Sequence, residues 1–310
     1  VVNPRFPVYI PSKSRAEVAT TPRELDRLGV PYTLVVEEEQ FDDYARRWGE
    51  DRILVLDPKY QRDYVTCEDL GKTTGTGPGP VRNFCWDHAI SQGHDWFWAI
   101  DDNIMVFYRQ HQNHAYPVGD GTIFHAMEEF ATRYKNTGMV GPEYKMFVPA
   151  RQKLPPFRIN RKLWSCYLIR TALPLRFECI YNDDVDIILR LMKSGWITVT
   201  FQAFLQDKIT TQQLPGGSTE HLYEKEGTLE KSRAIVRRHP DVARVTWRFK
   251  RWHHYVDYSG FQNMQLLPDP EYVPSGVTYN FREIEQPDRI YAGIQRYGQD
   301  RGYAPPGGRQ

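Results

Sequence analysis

Cysteine is scarce: Cys67, Cys85, Cys166 and Cys179 are the only four in 310 residues. They are too few and too scattered for a disulfide scaffold or a zinc site. Long apolar runs are missing as well. DWFWAI, ending at Ile100 and among the densest, falls far short of the ~18 residues that span a bilayer. The mean hydropathy of -0.61 agrees, so no membrane partner is expected. Neither sign of charge dominates, with 40 Lys+Arg against 39 Asp+Glu, and any nucleic acid must therefore be held by a local patch. The opening VVNPRFPVYIPSK has no charged segment followed by an apolar core, and so does not read as a signal peptide. These absences lead to the expectation of a cytoplasmic protein. Internal repeats and coiled-coil heptads are also lacking. TGTGPGP, ending at Pro80, lacks G-x-G-x-x-G spacing and its prolines remove amide donors, which argues against a NAD loop.

What is present alternates short apolar runs with helical segments, the pattern of an α/β protein with a mainly parallel sheet. FPVYI predicts a first strand. Thr21-Pro22-Arg23-Glu24 predicts a capping box opening a helix that stops at Gly29. YTLVVE and ILVLD read as strands two and three, with a short helix over Phe41 to Trp48 between them. Pro80 opens a helix to about Gln92, and the strand WFWAI stops at Asp101-Asp102-Asn103. Beyond it the pattern turns mixed: IMVFY a strand, Ile123 to Tyr134 a helix, and LWSCYLI a strand of opposite sense. A helix runs from Asp183 to Ser194, ITVTFQAFL is a strand ending at Asp207, and Tyr223 to Arg238 is a helix. VTWRFKRW reads as strand-like. From Pro268 the chain is rich in Pro, Gly and Tyr, ending in a loose tail.

Four constellations could carry chemistry. A buried strand ending in Asp101 and Asp102 places two carboxylates at the carboxyl edge of a sheet, where open α/β sheets bind ligands; oxygen ligands of this kind suit a hard divalent cation. The same residues also suit an ordinary turn. Asn182-Asp183-Asp184 opens a helix, where acids are favoured by the helix dipole in any case, but a carboxylate held ionised there suits a general base. Ser12-Lys13-Ser14-Arg15 after strand one, and Arg82-Asn83 in a first helical turn, could meet nucleotide phosphates. Finally, Lys231 to His254 carries eight Lys and Arg against the single acid Asp241. Trp247, Phe249 and Trp252 interleave with Arg248, Lys250 and Arg251, a mixture that suits phosphates and bases as well as it suits a solvated face. Gly216 and Gly217 could hinge over a ligand.

In order along the chain, VYIPSKSRA, VVEEE, PVRNFCWDHA, WAIDDNI and NDDVDIILRLMKSGW resemble a GT-A fold glycosyltransferase. More narrowly, YIPSKSRA with the later Gly-Gly loop and the basic aromatic run resembles the TET/JBP-associated glycosyltransferases encoded by DNA-modifying phages. The resemblance covers about Phe6 to Tyr258. It implies a catalytic domain over 1–258, divided into a nucleotide-sugar half (1–103) and an acceptor half (104–258), with a C-terminal extension over 259–310. It implies a UDP-sugar donor, Mn²⁺ or Mg²⁺, and double-stranded DNA containing 5-hydroxymethylcytosine as acceptor. Ile10, Ser12, Lys13, Arg15 and Glu37 would line the base and ribose pocket, with Arg82 and Asn83 as helix-borne partners. Asp101 would approach the ribose, and Asp102 would hold the metal, with Asp207 as a further ligand and His221 a later candidate. Asp184 would be the catalytic base with Asp183 beside it, and inversion by single displacement is the simplest outcome. Arg248, Lys250, Arg251, Trp247 and Trp252 would meet DNA. Competing readings are a saccharide, protein or lipid acceptor, a two-metal nuclease built on Asp101, Asp102, Asp183 and Asp184, and a DNA-binding module without activity.

Overall fold

The computed structural model describes residues 2–67, 77–149, 153–209, 224–248, 250–277 and 279. The first three residues of TGTGPGP, Gly216, Gly217, His221, Phe249 and the tail lie outside the described residues.

Strands β1 (Val8–Pro11), β2 (Thr33–Val36), β3 (Ile53–Val55) and β4 (Trp96–Ile100) pair in parallel in the order β3-β2-β1-β4. Helices α1 (Thr21–Leu28), α2 (Phe41–Trp48) and α4 (Gly79–Ser91), with the short α3 (Lys59–Arg62), make the crossovers. Every residue of β4 is buried because helices cover both faces, which is why WFWAI carries no polar alternation.

The second half completes a mixed sheet of ten strands. β5 (Ile104–His111), β6 (His114–Pro117), β7 (Thr137–Tyr144), β8 (Phe157–Ile159), β9 (Cys166–Arg170) and β10 (Ile197–Lys208) extend the order as β4-β9-β7-β10-β5-β6, with β8 also on β10. β9 runs antiparallel to β4 and β7, as LWSCYLI suggested, and β10 runs parallel to β7. This is the mixed α/β architecture of a GT-A fold. Strand β7 and the short β6 and β8 were not anticipated. At Gly141, inside β7, an added Cβ would lie 2.2 Å from the Cys166 carbonyl of β9, so only glycine permits this approach.

Alternation divides the core between the two faces. Val8, Ile10, Trp98 and Ile100 pack against α1, α2 and α5 (Thr122–Thr132), whereas Tyr9, Phe97 and Ala99 pack against α4, α6 (Asp183–Lys193) and α7 (Glu224–Arg238). The carboxylate of Glu128 is satisfied by the Trp98 indole at 2.8 Å and the amides of Arg5 and Phe6. Residues of the extension return to the main body: Leu267 accepts from the Lys135 amide, and Met264 and Leu266 pack on the first core.

Two local expectations change. Helix α1 has the predicted bounds and ends at a left-handed Gly29 (φ 66°), but Thr21 and Glu24 do not form a capping box. Thr21 Oγ1 donates to the Asp101 carbonyl at 2.5 Å and accepts from the Ile104 amide at 2.8 Å, and Glu24 accepts from the Phe107 amide. The Thr20 and Thr21 amides bond the Asp102 carbonyl. Residues expected to serve their own helix thus clamp the Asp101-Asp102-Asn103 turn, because the two elements abut in the fold. The basic aromatic run is a hairpin, β11 (Ala243–Arg248) and β12 (Arg251–Val256), turning at Lys250 (φ 60°), not one strand.

The reading of the cysteines also changes. Cys67 and Cys179 form a disulfide with a Cα–Cα distance of 4.8 Å across a sequence separation of 112. The bridge ties the approach to α4 to the approach to α6. No local motif marks a pair so far apart in sequence; the topology alone makes them neighbours.

Candidate active site

Four parallel or antiparallel strands deliver their ends to one edge. β1 ends just before Ser12, β4 ends just before Asp101, β9 begins after Ser165, and β10 ends at Lys208. The first turn of α6 adds Asp183 and Asp184, and α4 adds Arg82. Sequence reasoning singled out both acidic pairs, and the fold brings them together through one buried arginine. Arg82 donates to Asp183 Oδ2 at 2.5 Å and to Asp101 Oδ1 at 2.9 Å, while its guanidinium stacks near the Tyr167 and Phe177 rings.

The environments of the four carboxylates differ. Asp102 accepts from Ser12 Oγ at 2.6 Å and Arg15 Nη1 at 2.8 Å, so each oxygen already has a donor; burial still raises its pKa. Asp101 is 31% exposed at the side chain. Burial pushes its pKa up, but the charges of Lys208 and Arg82 and the hydrogen bonds to Ser165 and Arg82 prevail and hold it low. Asp183 is pushed up to about 6, chiefly by burial and by the neighbouring Asp184, against the pull of Arg82. Asp184 goes the other way, to about 2: burial opposes ionisation, but Lys162 foremost and then Arg82 outweigh it. Its Oδ2 lies 3.1 Å from Lys162 Nζ and its Oδ1 accepts from the Val185 amide. At the side chain, Asp184 is 21% exposed and Asp183 8%. Of this helix-borne pair the more open carboxylate is therefore Asp184, and the charges of Lys162 and Arg82 favour its ionised form.

Several site residues were missed. Lys208 Nζ donates to Ser165 Oγ at 2.6 Å and lies 3.6 Å from Asp101 Oδ2; the Tyr144 hydroxyl shares the same Ser165 Oγ at 2.7 Å. Tyr144 stacks on Trp164 with ring centres 5.0 Å apart, and Lys162 Nζ lies 4.2 Å from the Trp164 ring centre. Lys162 and Ser165 sit in a loop with no motif to mark them. Lys208 adjoins the strand end that the sequence did mark, but on that strand the wrong neighbour, Asp207, carried the expectation.

Other expected site residues play different parts. Ile10 is fully buried in the core, so its side chain cannot line a pocket. Asn83 is occupied in holding the Phe177 backbone, donating to its carbonyl and accepting from its amide at 2.9 Å each. Lys13 and Glu37 do meet, at 2.7 Å, with Gln61 also donating to Glu37. Asp207 does not join Asp102. Strand alternation sends Asp207 and Lys208 to opposite faces, and Asp207 lies 4.0 Å from Lys145 with burial raising its pKa. Among the described residues no three His, Cys, Asp or Glu are grouped as metal ligands. With Asp102 spent on Ser12 and Arg15, the donor set expected for Mn²⁺ or Mg²⁺ does not fit such an ion.

The hairpin and α7 bring Lys231 and His254 within electrostatic reach of Asp184. Burial brings Lys231 of α7 down to about 8 although Asp184 and Asp183 pull it up. His254 of β12 is brought down to about 4 by burial and by the charge of Lys162, so it is neutral beside Asp184. By alternation Trp252 shares its face of β12 with His254, and the register pairs Trp252 with Trp247 and His254 with Val245. The two indoles meet edge-on at 5.0 Å and are 58% (Trp247) and 39% (Trp252) exposed. Arg248, Lys250 and Arg251 are exposed at the same tip. A face that begins beside an ionised carboxylate thus ends in exposed aromatic rings and cations. No described helix is long and apolar enough to cross a membrane.

Compared with known families, the chain matches the one described as TET-Associated Glycosyltransferase over residues 6–217. No curated protein matches the chain.

Proposed function

Because the chain belongs to the TET-associated glycosyltransferase family, and is by that membership a glycosyltransferase, we propose that it moves a sugar from a UDP-sugar to the hydroxymethyl group of 5-hydroxymethylcytosine in double-stranded DNA. The observation that carries the acceptor side is the position of Asp184. It is ionised, partly open, and flanked by the hairpin face that runs from His254 to the exposed Trp247–Trp252 pair.

In this reading the base and ribose of the donor lie over Ser12, Lys13, Arg15 and Glu37, where β1 and β2 end. Asp101 meets the ribose and Arg82 locks its carboxylate in place. The acceptor oxygen attacks the anomeric carbon as Asp184 takes its proton. The bond from that carbon to the diphosphate oxygen breaks, its electron pair leaves with UDP, and the configuration inverts. The cytosine C5 position faces the major groove, but reaching a carboxylate at a sheet edge calls for extrusion of the nucleotide, at a cost of a few kcal/mol. In this reading Trp247 and Trp252 fill the gap, and Arg248, Lys250 and Arg251 hold flanking phosphates. The four aspartates do not favour a two-metal nuclease, since Arg15, Arg82, Lys162 and Lys208 already pair with them.

The test is mass spectrometry of nucleosides from hydroxymethylated duplex incubated with a panel of UDP-sugars. A gain of one hexose or N-acetylhexosamine on 5-hydroxymethylcytosine is expected. Unmodified nucleosides with every donor, or transfer to a saccharide or protein instead, would overturn the assignment.

A further inference from the structure

We propose that Lys208, with Lys162 beside it, supplies the positive charge that a divalent ion would otherwise supply at the donor diphosphate, so that donor binding and transfer require no metal. This rests on the UDP-sugar reading above and concerns how the same site treats the leaving group.

Three observations carry it. First, the carboxylates that a metal would need are engaged by the protein's own cations. A metal on Asp102 would have to displace Ser12 and Arg15, one on Asp101 would have to displace Arg82 and Lys208, and one on Asp184 would have to displace Lys162. Against Asp101, Asp102, Asp183 and Asp184 stand Arg15, Arg82, Lys162, Lys208 and Lys231, so the described charges already favour an anion.

Second, the two lysines are fixed but not fully committed. The Lys208 ammonium has its short contact with Ser165 Oγ at 2.6 Å and a looser one, 3.6 Å, with Asp101. Its side chain is 14% exposed and that of Lys162 19%, so both reach solvent, whereas Arg82 at 6% barely does. An ammonium carries three donors, which lets Lys208 keep Ser165 while turning another toward a phosphate oxygen.

Third, an aromatic stack sets their spacing. Lys208 Nζ lies 5.4 Å from the Tyr144 ring centre, Tyr144 stacks on Trp164, and Lys162 Nζ lies 4.2 Å from the Trp164 centre. The stack holds one lysine toward Asp101, at the end of β4, and the other toward Asp184, at the start of α6. A leaving diphosphate passes between those two points as the bond to the anomeric carbon breaks. The electron pair it gains is then met by two ammonium groups, and no proton moves to or from them.

The experiment is calorimetric titration of the full chain with UDP, in EDTA and in Mn²⁺, for the unmodified protein, Lys208→Met and Lys208→Arg. The unmodified chain should bind equally well, within about 2-fold, with and without chelator. Loss of one charge-assisted hydrogen bond should weaken binding by Lys208→Met about 10- to 150-fold, with Lys208→Arg recovering part of it. Sugar transfer by the unmodified chain should survive EDTA. Binding or transfer seen only with Mn²⁺ would overturn the lysine assignment and leave the glycosyltransferase reading standing. Undiminished binding by a folded Lys208→Met would overturn it too. Should UDP fail to bind under either condition, the donor reading falls and this assignment with it. The chelator comparison needs no variant, so a misfolded substitution does not remove the test.

Discussion

Arg82→Met removes the buried cation that joins Asp101 to Asp183, and its consequences can be worked out in sign and size. Methionine keeps an unbranched stem against the Tyr167 and Phe177 rings, 5.3 and 5.4 Å from the present guanidinium carbon, but leaves Asp183 and Asp101 without their arginine. At the side chain, Arg82 is 6% exposed and Asp183 8%, so water can do little to replace the lost partner. Breaking a buried pair by removing one member costs about 3–5 kcal/mol, which is roughly two to three and a half decades in the ratio of folded to unfolded protein. The deficit should also depend on pH. Asp183 has a folded pKa of about 6, above the ~3.9 of an unfolded aspartate. Its ionised form therefore works against the fold at neutral pH, and that penalty is relieved as the pH falls through about 6 toward 4. Without Arg82 the folded pKa climbs further and relief begins at higher pH. The gap between variant and wild type should thus be widest near about pH 8 and visibly narrower near about pH 5. Urea unfolding at both pH values, followed by far-UV circular dichroism, measures it. A variant as stable as wild type, or a deficit of the same size at both pH values, would refute the account of this pair.

Asp184→Asn should lower turnover at least ~100-fold with UDP affinity near wild type, and activity of the wild type should persist below the usual carboxylate range, since Lys162 and Arg82 hold Asp184 low; a variant that loses donor binding and keeps its rate at saturation would refute the role. Replacing Arg248, Lys250 and Arg251 together by Gln should weaken duplex binding and flatten its log–log salt dependence by up to about 0.9 per lost phosphate contact. Normal modification by that variant across a salt series would reduce the hairpin tip to a solvated face. Replacing Cys67 and Cys179 together by Ser should cost about 2–4 kcal/mol of stability in oxidising buffer. The difference from wild type should vanish once reductant opens the bridge, and a difference that persists in reductant would point to packing at the site instead.

The edge of the sheet was legible in the sequence because it depends on local signals. An uninterrupted apolar strand, WFWAI, needs cover on both faces, and acids after it must lie where the strand leaves the core. Asp183 and Asp184 opening an amphipathic helix are fixed to the first turn of α6 by the same kind of reasoning. Helix α1, ended by Gly29, kept its predicted bounds for that reason too. What each side chain does there was decided by tertiary structure. Thr21 and Glu24 have the spacing of a capping box, yet packing of α1 against β5 turns both toward the Asp101-Asp102-Asn103 turn and its following strand. Asn83 is one residue from Arg82 on α4, and the helical turn sends Arg82 into the site but Asn83 to the Phe177 backbone. The end of β10 shows the limit most clearly. Alternation gives adjacent residues opposite faces, and no sequence signal tells which parity a strand will adopt once a bulge intervenes between Asp207 and Lys208. The expected carboxylate points away and the unremarked lysine points in. Composition and periodicity set which segments reach the site edge, because burial and turns are local in sequence. Register, the Cys67–Cys179 bridge and the approach of the hairpin to Asp184 join residues far apart in the chain, and only the folded packing decides those.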